Sequence, residues 1–220
     1  MLALLLAAAT AASADHHLAF EIGLGGGGLA MESANVLMDD INRSAQGGTL
    51  DGAPAHLGHE LHFDLALRWT TPWHVGLRTG LGIGGGFPTE KIGNETLTNW
   101  VALLEIPVVV SWSEEWLEGR LATQAGVGPD IVALTVNGWD CNGCNIHAEE
   151  VDPFVGYVFE AAGQWWFKPW FALGLSLDYR DAVGGPMHER NGTTQIGPHA
   201  PYQLDFSGAR AVGTLDLRFF

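Results

Sequence analysis

The chain has 220 residues, a formal net charge of −15 and two cysteines. This length suits one domain, and no Pro/Ser-rich linker or shift in composition marks a boundary. The negative charge argues against nucleic-acid binding, because a protein that binds phosphates needs a basic face. After residue 14 no apolar run reaches the roughly 18 to 20 residues of a membrane-spanning helix, which excludes a helical membrane protein.

The first fourteen residues predict a secretory signal peptide. Residues 1–11 are mostly alanine and leucine, and residues 12–14 (Ala-Ser-Ala) form the small-x-small pattern that a signal peptidase cleaves. The alternative is an apolar N-terminal strand, but alanine-rich runs form strands poorly. We therefore expect residues 1–14 to be a signal peptide and residues 15–220 to be one mature domain.

Strict alternation of apolar and polar residues predicts β-strands. In residues 59–69 (HELHFDLALRW) every second side chain, from Leu61 to Trp69, is apolar. A period of two indicates a strand, because successive side chains leave it on opposite faces. The same pattern predicts an all-β fold with eight antiparallel strands, near residues 17–29, 58–70, 73–86, 100–113, 116–136, 153–168, 170–181 and 207–220.

The connections between these strands alternate in length. Three are tight turns, within residues 69–73, 111–116 and 165–170. Four are long, polar and rich in glycine and proline: residues 30–57, 87–99, 137–152 and 182–206. Short periplasmic turns and long external loops are typical of an up-and-down transmembrane β-barrel.

Tryptophan positions distinguish a membrane barrel from a soluble one. Indole prefers the membrane–water boundary, where its ring is in an apolar region and its N–H stays hydrated. In a soluble barrel, bulky aromatic residues would more naturally fill the middle of the core. Seven of the nine tryptophans flank the tight turns and predict one aromatic girdle: Trp69, Trp73, Trp112, Trp116, Trp165, Trp166 and Trp170.

If the apolar faces contact lipid, the charged faces line the lumen. An eight-stranded barrel is just wide enough for its own side chains to fill, so we expect acids and arginines to pair across it and close it. Arg68, Arg78 and Arg120 are the arginines expected near carboxylates of comparable depth. The predicted lumenal charge network comprises Glu21, Glu60, His62, Asp64, Arg68, Arg78, Glu105, Glu118, Arg120, Asp130, Glu160, Asp178, Arg180, Arg210, Asp216 and Arg218, and His74 falls on the same parity.

With these features the chain resembles the small outer-membrane β-barrel family that includes the eight-stranded membrane domain of OmpA, OmpX and OmpW. The resemblance also rests on the terminal TLDLRFF, where Leu215, Leu217 and Phe219 alternate and Phe220 lies one step out of register. It implies a terminal signal, formed by these four residues, that the barrel-assembly machinery reads. It also implies a monomer in the bacterial outer membrane, with its loops extracellular and with lipid and lipopolysaccharide around it.

The two cysteines lie close together in DCNGCN. Because an exported chain meets oxidising conditions, we expect a local disulfide between Cys141 and Cys144. A zinc site completed by His147 is the alternative.

Besides a structural role, the lumenal side chains could bind a metal ion or catalyse a reaction. Glu60, His62 and Asp64 share one face of a predicted strand and could hold a metal ion, but pairing with arginines is favoured, so we expect no metal and no cofactor. Some eight-stranded barrels edit lipid A with a Ser/His/acid set. The strand serines Ser111 and Ser176 face inward with no base set up nearby, so we expect no enzyme.

The four long loops carry twelve acidic and three basic side chains. They predict a protein that acts in envelope integrity, or in surface interaction with an extracellular partner. A narrow channel for small solutes or ions is the alternative, and a lipid A-modifying enzyme is less favoured.

Overall fold

The computed structural model describes residues 16–29, 35–36, 59–86, 89–92, 95–98, 100–139, 146–186, 188–189, 203–205 and 207–219. Their strands are β1 (His17–Leu29), β2 (His59–Thr70), β3 (Val75–Gly86), β4 (Thr89–Ile92), β5 (Glu95–Thr98), β6 (Trp100–Trp116), β7 (Leu121–Trp139), β8 (Ile146–Lys168), β9 (Phe171–Asp181), β10 (Val183–Pro186), β11 (His188–Glu189), β12 (Gln203–Asp205) and β13 (Gly208–Arg218). Among the described residues, no helix is long and apolar enough to cross a membrane.

Eight of these strands close into one antiparallel barrel. The order is β1, β2, β3, β6, β7, β8, β9 and β13, and the ring closes where β13 pairs with β1. Each strand therefore lies beside its neighbours in the chain, which is an up-and-down topology. Closure leaves no strand edge unpaired, so the backbone groups of the ring are satisfied by the ladders themselves. The predicted all-β fold with eight antiparallel strands is confirmed.

The polar residues of the alternating pattern face the inside of the barrel, and the apolar residues face the outside. Along β2, Glu60, His62 and Asp64 are buried, whereas Leu61 and Phe63 between them are exposed. The outer surface is correspondingly apolar around the ring. Its exposed side chains include Leu77, Ile83, Leu104, Val110, Val127, Val155, Phe159, Leu175 and Leu177.

At one end of the barrel, here named the turn end, β2 and β3 are joined by residues 71–74. Pro72 fits this turn because its ring fixes the φ that the first central position requires. The backbone N–H of His74 donates to the carbonyl of Thr71 (3.1 Å), and the Thr71 hydroxyl donates to the carbonyl of Val75 (2.9 Å). His74 closes the turn with a φ of 66°.

The second turn lies further along the chain than predicted. Strand β6 continues through Ser113 and Glu115 to Trp116, and the reversal is made by residues 117–120. Leu117 and Glu118 have φ values of 53° and 58°, in the left-handed region that residues with side chains rarely adopt, and Gly119 follows at 79°. The turn predicted at residues 111–116 was therefore placed wrongly. Asn or Gly usually marks positions of positive φ, and Leu117 and Glu118 give no such signal in the sequence.

At the opposite end, the loop end, several strands continue into the predicted loops. Strands β7 and β8 run on to Trp139 and back from Ile146, so most of the connection predicted for residues 137–152 is a hairpin stem. Strands β4 and β5 form a second hairpin within residues 87–99. The predicted signal peptide at residues 1–14, Cys141, Cys144 and Phe220 lie outside the described residues.

The outward apolar face leads to a first prediction. Leu175 at the middle of β9 and Leu117 in a turn are both more than half exposed. In a barrel folded into lipid vesicles, Leu175→Arg should lower the free energy of unfolding by about 2–4 kcal/mol, because it places a charge in hydrocarbon.

The matched variant Leu117→Arg places the same charge at the water boundary, and should change the unfolding free energy by less than about 0.5 kcal/mol. Denaturant titration in vesicles measures both variants. If they unfold at the same denaturant concentration as the unmodified chain, the outer face does not contact lipid.

Candidate functional site in the barrel lumen

The barrel interior is filled with charged side chains. Within the described residues, eight carboxyl groups and four guanidinium groups are buried there. The acids are Glu21, Glu60, Asp64, Glu105, Asp130, Glu160, Asp178 and Asp216, and the bases are Arg68, Arg78, Arg180 and Arg210. All twelve are members of the predicted lumenal network, and strand parity is what brings them inside.

Nearer the turn end, a turn-side cluster forms around Arg78. Its Nε and Nη2 donate to one oxygen of Glu21 (2.9 and 2.8 Å), and Nη2 also donates to Asp64 (3.0 Å). Arg68 donates to the other oxygen of Glu21 (2.5 Å) and lies 3.4 Å from Glu160. Hydrogen bonds to ionised groups are stronger than neutral ones, so these five side chains join β1, β2, β3 and β8 across the interior.

Nearer the loop end, a loop-side cluster forms around Arg180 and Arg210. Arg210 donates through Nε to Asp178 (3.0 Å) and through Nη1 to Glu105 (2.8 Å). Arg180 donates through Nε to Asp130 (2.7 Å) and pairs with Glu105. Glu105 is therefore shared by two arginines, and the cluster joins β6, β7, β9 and β13.

Neutral polar side chains complete the hydrogen bonding. Gln124 donates to Glu160 (2.8 Å), and Gln164 donates to Asp216 (3.1 Å). The Thr214 hydroxyl also donates to Asp216 (3.0 Å). Thr214 was not singled out from the sequence, although its parity on β13 places it inside with Asp216.

One tryptophan of the predicted girdle lies inside the barrel. Trp166 is only 7% exposed, and the guanidinium of Arg218 lies over its ring at 4.0 Å from the centroid. Arg218 also lies 3.5 Å from Glu115, so it pairs at the turn end and not with the central clusters. The girdle assignment of Trp166 was wrong, because adjacent residues of a strand face opposite sides and Trp165 is the outward one.

Two residues of the predicted network, and one on the same parity, lie outside the lumen. Glu118 and Arg120 belong to the exposed turn at residues 117–120. His74 is exposed in the first turn, where its Nδ1 lies 2.9 Å from the carbonyl oxygen of Ser113. The prediction that Glu118 and Arg120 face the lumen was wrong because it extended strand parity through a turn.

The other six tryptophans of the predicted girdle are exposed at the turn end: Trp69, Trp73, Trp112, Trp116, Trp165 and Trp170. Two of them also bind polar neighbours, as a membrane-boundary indole does. Trp112 Nε1 donates to Glu114 (2.8 Å), and Trp116 Nε1 donates to the Thr123 hydroxyl (2.9 Å).

The last strand presents the alternation expected of its terminal residues. Phe219 is exposed, Leu215 and Leu217 are half-exposed, and Asp216 between them is buried. The backbone N–H of Phe219 donates to the carbonyl of Leu18 (2.9 Å), so the end of the chain is tied to the start of β1.

Comparison with known proteins identifies this architecture. A major outer membrane protein of Thermus thermophilus is similar over 93% of this chain and 99% of its own, with 11% identity and a TM-score of 0.56. The Neisserial surface protein A is similar over 94% and 98%, with 9% identity and a TM-score of 0.50. The attachment invasion locus protein Ail of Yersinia pestis covers 93% and 99%, with 11% identity and a TM-score of 0.44.

The chain has the fold of the small bacterial outer-membrane β-barrels. The matches confirm the predicted resemblance in fold, and the integral outer-membrane location stays a prediction. No protein-family model matches the sequence, and a search of curated proteins finds no match.

The turn-side cluster leads to a second prediction. Arg78→Met removes the cation that Glu21, Asp64 and Glu160 share, so it should lower the free energy of unfolding by about 3–5 kcal/mol. Adding Glu21→Gln should then cost less than the sum of the two single changes, because no uncompensated charge of that pair remains.

Denaturant unfolding in detergent measures this double-mutant cycle. Arg120→Met is the matched control, because it removes an arginine from an exposed turn and should change the unfolding free energy by less than about 0.5 kcal/mol. Equal losses for Arg78→Met and Arg120→Met would show that the lumenal pairs contribute nothing specific.

Proposed function

We propose that this protein is an integral outer-membrane barrel whose lumen is closed and whose role is carried by its surface. It acts in envelope integrity or surface interaction through acidic loops at the loop end. The observation that carries this proposal is the pair of charge clusters that cross the interior.

The clusters support a closed lumen because every buried arginine of the described residues reaches across strands. Arg78 binds carboxylates on β1 and β2, and Arg210 binds carboxylates on β6 and β9. Separating such a pair strands a buried charge at a cost of several kcal/mol, about 3–5 kcal/mol for one partner. A stable open pore would require several of these pairs to separate together.

The loops support a surface role through their charge. The connections at residues 30–57, 87–99, 137–152 and 182–206 hold twelve acidic and three basic side chains. A partner that they bind would carry positive charge. Lipopolysaccharide is itself anionic, so it would need divalent cations as bridges.

A role without catalysis is supported by the hydrogen-bond partners of the buried serine and histidine side chains. Ser176 donates its hydroxyl hydrogen to Asp178, and His62 Nδ1 lies 3.0 Å from Arg210 Nη1. A nucleophilic serine needs a base within reach, and here the acid that accepts its hydrogen is itself bound to an arginine.

Planar-bilayer recording tests the closed lumen. The folded chain should give at most small, irregular current events, because its interior is occupied by paired side chains. A porin inserted into the same bilayer is the positive control. A stable open state of porin size would contradict the proposal and favour a solute channel.

Complementation tests the loops. A strain lacking this protein should become sensitive to SDS, and the unmodified chain should restore resistance. A variant in which the acidic side chains of residues 30–57 become amides should fail to restore it. The matched control makes the same change in three glutamates at the turn end (Glu114, Glu115 and Glu118) and should restore resistance.

Full rescue of SDS resistance by the loop variant would contradict the proposed role of the acidic side chains in residues 30–57. Lipid A from the deleted and complemented strains should have the same mass spectrum. A mass difference that depends on the protein would show an enzyme instead.

A further inference from the structure

Three potential metal ligands converge at the loop side of the lumen. Glu60 and His62 lie on the same face of β2, and Glu105 reaches them from β6 across β3. Each offers one ligand atom, and these atoms all lie within 4.8 Å of one another. All three residues are buried.

Glu60 is the side chain that the charge network leaves unexplained. It is 1% exposed, and neither of its carboxylate oxygens accepts a hydrogen bond from the described part of the chain. Arg210 Nη1 is 3.9 Å from its nearer oxygen. Burying a carboxylate without a donor is costly, so Glu60 calls for a compensating cation or proton.

Two glycines on β3 make room for this convergence. A Cβ at Gly84 would lie 2.7 Å from Glu60 Oε2, and one at Gly82 would lie 2.8 Å from the His62 ring. Both distances are shorter than real Cβ contacts. The floor of the site is therefore shaped so that the three ligands can approach one another.

A positive group already lies between the three side chains. Arg210 Nη1 is 3.0 Å from His62 Nδ1 and 2.8 Å from Glu105 Oε2, while Arg210 is anchored separately through Nε to Asp178. Because arginine only donates, His62 Nδ1 presents its lone pair there. The other ring nitrogen, Nε2, is 3.8 Å from Asp64. This distance is longer than a hydrogen bond, and Nε2 has no hydrogen-bond partner within the described residues.

Buried carboxyl groups outnumber guanidinium groups by two on the loop side, as they do on the turn side. The loop side holds four buried carboxyl groups, Glu60, Glu105, Asp130 and Asp178, against the two guanidinium groups of Arg180 and Arg210. One divalent ion would make up this difference on the loop side, where neither oxygen of Glu60 accepts a hydrogen bond within the described residues.

We propose that Glu60, His62 and Glu105 form a binding site for a divalent first-row transition ion of the Zn²⁺ class. The ion takes the position of Arg210 Nη1, so the Arg210 guanidinium, which is one rigid planar group, must turn away from His62 and Glu105. It is coordinated by His62 Nδ1 and by oxygens of Glu60 and Glu105. A mixed imidazole and carboxylate set favours such an ion over Ca²⁺ and Mg²⁺, which take oxygen ligands.

The experiment uses the tag-free chain, folded in detergent and stripped with a chelator. Calorimetric titration with Zn²⁺ should give one bound ion, and Co²⁺ should give a visible spectrum that changes in His62→Gln. Glu60→Gln and His62→Gln should each weaken Zn²⁺ binding roughly tenfold or more. Arg210→Gln should strengthen it, because a competing cation is removed. Zn²⁺ should raise the unfolding midpoint of the unmodified chain but not of Glu60→Gln.

Glu118→Gln and His74→Gln are the matched controls, because they change the same residue types in exposed turns, and both should bind Zn²⁺ unchanged. If Arg210→Gln fails to fold, Glu60→Gln still tests the site, since it removes no hydrogen bond of the described network. Equal Zn²⁺ binding by Glu60→Gln, or loss of binding in His74→Gln, would overturn the proposal. So would competition by Ca²⁺ on equal terms, or no binding at all, which would leave Glu60 protonated.

Discussion

Closure of the strand ladder is the constraint on which the rest of this structure depends. Because β13 pairs with β1, each strand of the ring has a hydrogen-bonded neighbour on both sides, and every second side chain points into a narrow interior. The charged groups on those positions are buried, so each needs hydrogen-bond or ion-pair partners inside the barrel. The alternation that makes the strands thus also dictates the lumenal chemistry.

The buried carboxylates on the two sides of the lumen have different numbers of hydrogen-bond donors. At the turn side, Arg78 and Arg68 share Glu21, and Gln124 and Gln164 supply further donors to carboxylates. At the loop side, two arginines serve Glu105, Asp130 and Asp178, whereas Glu60 accepts no hydrogen bond within the described residues. Glu60 is therefore the buried carboxylate that an added cation on the loop side would compensate.

The two ends of the barrel differ in the side chains that they expose. Six exposed tryptophans gather at the turn end, and some of them direct the indole N–H to polar neighbours such as Glu114 and Thr123. The loop end carries the long, acidic connections. In the proposed function, the strands hold the barrel in the bilayer and the loops interact with the surroundings.

Sequence alone determined the eight antiparallel strands, because a period of two and alternately short and long connections are local patterns that an up-and-down barrel accommodates. It also determined which face of each strand carries charge.

Tertiary structure decided three matters that local patterns cannot specify. The turn at residues 117–120 uses Leu117 and Glu118 at positive φ, which removed Glu118 and Arg120 from the lumen. Trp166 faces inward because register, and not composition, sets its side. The choice of partners, such as Arg180 with Asp130 and Arg210 with Asp178, depends on which strands the closed ring brings face to face.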